Sequence, residues 1–330
     1  MSSFKNGKLK TIKALPASVL GFIIRPFIGT GIGRFRPIHM IYRFLTRTFI
    51  ISQENHLISI NGYKMVINLD KDKGLDGIGQ ELIFKGNYEK YTTYILGQFV
   101  KSGMTVITVG ANIGYFTLLF SSLVGKNGKV FAFEPEPKNY ALLMKNIELN
   151  GFTNITALNK AVSDKSGKAT LFIDKSDPAG HSLFQEAIKL MKENSAESLS
   201  VDVVSLDEYF KGVDINVDIV QMDIQGAEML AVKGMKDLLL NKMEVKVFTE
   251  FWPYGLNRCG FSAEQYWNQL NQFGFKFIYL INERRQKLEL TSVGNIIKLC
   301  RGNKITPPSA VNLLCTKYPL DQRLGFSGEL

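Results

Sequence analysis

Cysteine and histidine are both scarce in this chain, with three of each in 330 residues. Cys259, Cys300 and Cys315 form no Cys-x-x-Cys pair and no cluster with histidine, which argues against a disulfide framework or a structural zinc and for a reducing compartment. Acidic residues are missing from the first fifty positions, where nine basic ones stand: Lys5, Lys8, Lys10, Lys13, Arg25, Arg34, Arg36, Arg43 and Arg47. The net charge of +10 therefore leaves about +1 for the other 280 residues. A nearly neutral body offers no basic track for nucleic acid. Long apolar runs are lacking too. The longest in the arm, Ala14 to Ile24, stops at Arg25-Pro26, short of the roughly 20 residues that span a bilayer. It follows basic residues in the order of a signal peptide, but no small-x-small cleavage site follows, which points to a cytoplasmic chain. Repeats and low-complexity tracts are absent, and 45% apolar with 21% charged residues is ordinary globular composition.

Three stretches follow from this composition. Residues 1–52 form a basic and apolar arm, whose Leu20, Phe22, Phe27, Phe35 and Phe44 interleave with the positive charges. Such a segment suits peripheral contact with the inner, anionic membrane surface, although its apolar residues could equally pack on the domain. Residues 53–103 read as a hairpin and a lead helix: Leu57, Ile58 and Ile60 run into Asn61-Gly62, and Met65, Ile67 and Leu69 follow. Asn-Gly between alternating apolar residues predicts a two-residue type I′ turn. A helix is expected from Tyr88 to Val100.

From residue 104 to 330 strands and helices alternate, the signature of a doubly wound parallel sheet. Strands are predicted at Thr105–Val109, Lys129–Glu134, Ile155–Leu158, Val217–Asp223, Glu244–Glu250, Lys276–Ile281 and Ala310–Cys315. Helices are predicted at Ile113–Val124, Lys138–Leu149, Ala227–Leu240 and Ala263–Phe273. Additional strand-like segments, Ala169–Ile173 and Leu199–Val204, flank a polar loop between the third and fourth sheet strands. The expected architecture is an α/β, Rossmann-like sheet of about seven strands with an N-terminal extension.

Chemistry concentrates at the carboxyl ends of these strands, where open α/β sheets bind ligands. Val109-Gly110-Ala111-Asn112-Ile113-Gly114 lies between the first strand and its helix. Glycine allows a sharp turn and a close backbone approach to a ligand, and helix-start N–H groups suit an anion. A pyrophosphate-bearing dinucleotide calls for Gly-x-Gly-x-x-Gly, whereas the spacing here is Gly-x-x-x-Gly, so a dehydrogenase is disfavoured. The loop alone would also serve as a plain turn. Glu134, 24 positions after Gly110 at the end of the second strand, can accept ribose hydroxyls, or else cap the next helix. Asp223-Ile224-Gln225-Gly226-Ala227-Glu228 brings a carboxylate to the same sheet edge, and Glu250-Phe251-Trp252-Pro253-Tyr254 brings another with two aromatics. Asp223 is a candidate base or a helix cap, and His181, on Asp177-Pro178-Ala179-Gly180-His181-Ser182, a candidate base or substrate ligand. Glu250, Trp252 and Tyr254 are candidate substrate contacts, the aromatics equally candidates for core. The Asn-Pro-Pro-Tyr-like tetrapeptide of nucleic-acid N-methyltransferases is missing after the fourth strand.

Taken in order, VGANIGYFT, VFAFEPEP, AVSDKSG, DIQGAE and EFWP resemble the FkbM family of methyltransferases over about Gly103 to Ile281. The resemblance implies an S-adenosylmethionine-dependent enzyme, usually an O-methyltransferase acting on a glycan, lipid-linked or small-molecule hydroxyl. It implies that Gly110, Asn112 and Gly114 line the methionine end, that Glu134 holds the ribose and that Ala161 lies near adenine. Two departures stand out. Thr108 replaces the acid often found before V-G-A-N, and Gln225 replaces the acid of D-V-E-G-A-E, so no metal is expected. A scaffold with that fold and no catalysis is the alternative that these departures keep open.

Overall fold

A computed structural model of the chain describes residues 55–68, 78–79, 81–82, 86–173, 180–185, 197–300 and 310–321. The basic arm lies outside these. Two compact units divide the chain, Met1–Tyr88 and Glu89–Leu330. In the first, β1 (Asn55–Ile60) pairs antiparallel with β2 (Tyr63–Asn68). Asn61 and Gly62 turn between them with φ of 51° and 84°, both left-handed as a type I′ turn requires. His56 lies within β1.

The second unit opens with α1 (Lys90–Phe99), then runs β3 (Thr105–Val109), α2 (Tyr115–Val124), β4 (Lys129–Phe133), α3 (Pro137–Asn150) and β5 (Ile155–Leu158). Next come β6 (Ala161–Val162), β7 (Gly167–Ile173), β8 (Glu197–Val204) and the short α4 (Leu206–Tyr209). After these, β9 (Ile219–Met222) leads to α5 (Glu228–Lys233) and α6 (Lys236–Asn241). The chain then forms β10 (Lys246–Phe251), α7 (Pro253–Arg258), α8 (Ala263–Gln272) and β11 (Phe277–Asn282). Its last elements are β12 (Lys287–Thr291), α9 (Val293–Cys300) and β13 (Val311–Thr316).

Eight strands make the main sheet, in the order β12-β11-β13-β10-β9-β3-β4-β5. Strands β10, β9, β3, β4 and β5 run parallel, and β13 is antiparallel to both neighbours. The expected seven strands gain an eighth, β12, whose Lys287, Glu289 and Thr291 alternate with two leucines without a strong turn signal. The order reverses between β4 and β9, on either side of β3, which opens a crevice at the carboxyl ends of these strands. Both sheet faces are covered, as a parallel sheet requires. Ile107, Val220 and Val247 enter one apolar cluster, while Val106, Ile219 and Phe248 enter another with Leu96 and Phe99 of α1. Successive residues go to opposite sides, as the period of two dictates.

A second sheet, β6-β8-β7, carries the extra material between β5 and β9. It explains one departure from expectation, the break of the predicted helix Ala227–Leu240 into α5 and α6 at Gly234. A Cβ there would come within 1.9 Å of the Ser163 carbonyl oxygen. Ser205 Oγ and Asp207 N both donate to the Gly234 carbonyl at 2.9 Å. The backbone leaves the helix to meet the second sheet. Among the described residues no helix is long and apolar enough to cross a membrane.

Candidate functional site

The crevice holds a cleft open to solvent at the carboxyl ends of these strands, where α/β sheets of this kind bind ligands. Its walls include Gly110, Asn112, Glu134, Ala161, His181 and Asp223, residues brought from several separate segments of the chain. The glycine loop is fixed from below, where Gly110 N and Ala111 N both donate to the Phe133 carbonyl at 2.9 Å. Gly110 has φ of 82°, and a Cβ would stand 2.1 Å from the Asp223 carbonyl oxygen, so no other residue fits. Gly114 is placed differently from expectation. It stands off the cleft wall at the start of α2, where a Cβ would meet Leu143 of α3 at 2.7 Å.

Glu134 is buried, and both its oxygens accept backbone N–H groups, Oε2 from Asn112 at 2.7 Å and Oε1 from Glu136 at 2.9 Å. Burial pushes its carboxyl up to about 7, and those two donors pull the other way. Each carboxylate oxygen keeps a second lone pair for a ligand hydroxyl. His181 reaches the cleft on a segment pinned by a two-way backbone bridge between Ser182 and Phe172. Ser182 Oγ also donates to the Gln225 carbonyl at 3.0 Å.

On the other side of Asp223 lies a smaller chamber. Its polar wall comprises Gln221 and Asp223 from the β9 end, Glu250 of β10, Asn312 of β13, and Glu89 and Thr92 at the start of α1. Glu250 stands opposite Asn312 in the β10–β13 register, and Asn312 Nδ2 donates to Glu89 Oε2 at 2.8 Å and Thr92 Oγ1 at 3.1 Å. The Gln225 amide donates to Asp223 Oδ1 at 2.8 Å and to Glu250 Oε2 at 2.9 Å. Burial, then the charges of Asp223, Glu228 and Glu89, holds the Glu250 carboxyl well above the usual carboxylate range. Thr108 does not face the first cleft. Its hydroxyl donates to Gln221 Oε1, its parallel partner in the β3–β9 register.

Trp252 and Tyr254 are absent from both walls. Trp252 is buried beside Cys259, and Tyr254 lies beneath the Arg258 guanidinium on a separate surface cleft. Glu228 is the residue whose part the motif held but its spacing did not reveal. Its Oε1 accepts from Ile224 N and Gly226 N at 3.2 Å each, so it carries the turn after β9. Its Oε2 has no partner among the described residues, and burial lifts its carboxyl to about 7. Among the described residues no group of three or more His, Cys, Asp or Glu side chains is arranged to hold a metal ion.

A parallel sheet with its order reversed at a glycine-lined crevice, and an acid at the end of the second strand, defines a Rossmann-like α/β fold. The chain belongs to the FkbM methyltransferase family, whose domain matches residues 108–277. It is similar to methyltransferase sdnD of Sordaria araneosa, 25% identical over 158 residues covering 40% of this chain and 60% of that protein. The chain thus spans about 60% of that relative's length. It is similar also to a catechol O-methyltransferase of Niastella koreensis, 25% identical over 170 residues, 48% of this chain and 76% of that one. Among solved structures it is similar to Aeropyrum pernix fibrillarin with natively bound S-adenosyl-L-methionine, at 10% identity and a TM-score of 0.40, covering 81% of this chain and 86% of that one. S-adenosylmethionine is the family's methyl donor, and the first cleft suits it. It joins a buried carboxyl able to take hydroxyl groups to a loop with no Cβ in the way.

Proposed function

We propose that this protein methylates a hydroxyl oxygen of a glycan, lipid-linked or small-molecule acceptor, with Asp223 as the base. One observation supports this above all: Asp223 is in the wall of both the larger cleft and the acidic chamber. In this reading Glu134 takes the ribose hydroxyls, Gly110 and Asn112 border the methionine end, and Ala161 borders the adenine. The cofactor, when bound, supplies a methyl group on a sulfonium. The acceptor hydroxyl sits in the chamber and gives its proton to the Asp223 carboxylate as its oxygen takes the methyl. Glu250, holding its own proton, donates a hydrogen bond rather than competing for that one. His181 closes the cleft from the second sheet. The name of the Niastella relative agrees with transfer to oxygen. The companion reading puts the chain in the cytoplasm, with the arm against an anionic membrane. There, sedimentation of the full chain with anionic vesicles should weaken as salt rises.

The test is Asp223→Asn, assayed with labelled S-adenosylmethionine on a panel of sugar, phenol and lipid-linked acceptors. Turnover should fall by on the order of a hundredfold or more while cofactor affinity stays within a few-fold. Undiminished turnover would remove Asp223 from the chemistry and make it a structural cap.

A further inference from the structure

Gln225 stands at a strained position in the turn after β9. Its φ is 53°, a left-handed backbone that residues with a Cβ avoid, and it is followed by Gly226 at 96°. Strain of this kind persists where surrounding structure fixes it, and it clusters at functional positions. The restraints here come from three sides. The side-chain amide spends both its hydrogens on carboxylates, Asp223 at 2.8 Å and Glu250 at 2.9 Å. The backbone carbonyl accepts the Ser182 hydroxyl at 3.0 Å. Behind the turn, Glu228 accepts the N–H groups of Ile224 and Gly226. Beneath it Gly226 packs so closely that a Cβ would come 3.0 Å from the Gly255 carbonyl.

The chemistry of the amide matters as much as its placement. An amide nitrogen only donates, so it can bind two carboxylates at once without adding charge. A carboxyl at 225 would add a fourth acid to Asp223, Glu250 and Glu228, with Glu89 close to Glu250 as well. Among the described residues, the basic groups in the wall of the larger cleft with Asp223 are Lys160 and His181. We propose that Gln225 is a positioning residue, whose amide holds the Asp223 and Glu250 carboxyls together across the wall between the two clefts. The proposal rests on the reading of Asp223 as base. It also explains why the family's acid can be absent without loss of order: the amide replaces repulsion with two donated bonds.

The experiment uses the full chain and needs no acceptor. The protonated-carboxyl stretch in the infrared is followed from about pH 4 to about pH 9, with Glu250→Gln identifying the Glu250 share of the band. Gln225→Met keeps the size and removes both donated bonds. Its Glu250 band should persist to a pH about one unit higher than in the unaltered chain, because a lost hydrogen bond to the charged form favours the proton. Gln225→Glu should move it further in the same direction. S-adenosylmethionine affinity should stay within about threefold in both, since Gln225 is absent from the residues that line the larger cleft. An unmoved band in a folded Gln225→Met chain would overturn the proposal, whatever happens to Gln225→Glu. The two readings separate cleanly. If Asp223→Asn keeps full turnover but the band moves, the base assignment fails and the positioning stands. If Asp223→Asn loses turnover and the band stays fixed, the reverse holds.

Discussion

On the β3–β4 side of Asp223 the ligand wall is mostly backbone: a turn with no room for a Cβ, N–H groups aimed at one carboxyl, and carbonyls that anchor the loop. On the β9–β10 side it is side chain: Asp223, Gln225, Glu250, Glu89 and Asn312, linked to one another by hydrogen bonds or charge. A backbone wall depends on conformation and tolerates little substitution, and of its groups only the Glu134 carboxyl answers to pH. A side-chain wall tolerates change of shape and is governed by where protons sit. The first suits a ligand that never varies, the second an acceptor whose reactive proton must be moved.

The largest effect is expected at Gly110→Ala, which drives a methyl group to 2.1 Å from the Asp223 carbonyl. Cofactor binding should be lost in calorimetry and the melting temperature should fall, with no rescue by pH. Binding near the native affinity would mean that the loop does not form the cofactor's wall. Next is Glu134→Ala, which removes a charge-assisted acceptor, worth roughly 1.5–3 kcal/mol of cofactor affinity, or about 10- to 150-fold. Because Glu134 also accepts from Asn112 N and Glu136 N, some loss of stability should accompany it.

The smallest effect sharpens the side-chain half. Glu228 titrates near 7 in the folded chain against an ordinary 4.5. A folded value above the unfolded one means that folding takes up a proton. The contribution is therefore fully present below about pH 4.5 and is lost as pH rises through about 7. The full span is worth on the order of 3 kcal/mol. Glu228→Gln keeps an oxygen for the Ile224 and Gly226 N–H groups, so its melting temperature should fall less between about pH 5 and about pH 8. Parallel curves for the variant and the unaltered chain would show that Glu228 is charged throughout.

The same division separates what the amino-acid sequence reveals from what only folding brings together. The backbone wall is local: Gly110, Asn112 and Glu134 lie within 25 positions, and tight turns and strand ends leave glycines and single acids in the sequence. Five parallel strands and most of their helices are legible for the same reason, since short apolar stretches alternate along the chain with segments of helical spacing. The side-chain wall is not local. Glu89 and Asn312 are 223 positions apart, and nothing in either neighbourhood announces the other. Gly234 reads as a tolerated helical glycine, because its sequence neighbours say nothing of the Ser163 carbonyl beside it. Trp252 is ambiguous in sequence because an aromatic after a strand serves core and platform alike, and here it fills the core. Gln225 is visible as an unusual residue in its motif, but its two partners are not.

Gly226 and Gly255 carry a consequence for how this site can change over time. Side chains are excluded at both, at Gly226 by a φ of 96° and the Cys259 Sγ at 2.8 Å, and at Gly255 by the Trp252 ring at 2.0 Å. A point substitution at Gly226 displaces the turn that presents Asp223, one at Gly255 displaces the Trp252 ring, and repairing either requires a second change elsewhere. Mutational routes to a different acceptor are thereby closed around residues 224–228. They stay open at His181, Leu183 and Phe184 and at the chamber's rim, where Glu89 is only half-buried. Selection in the laboratory for altered acceptors should therefore accumulate its substitutions at the rim and at those positions, leaving the turn untouched.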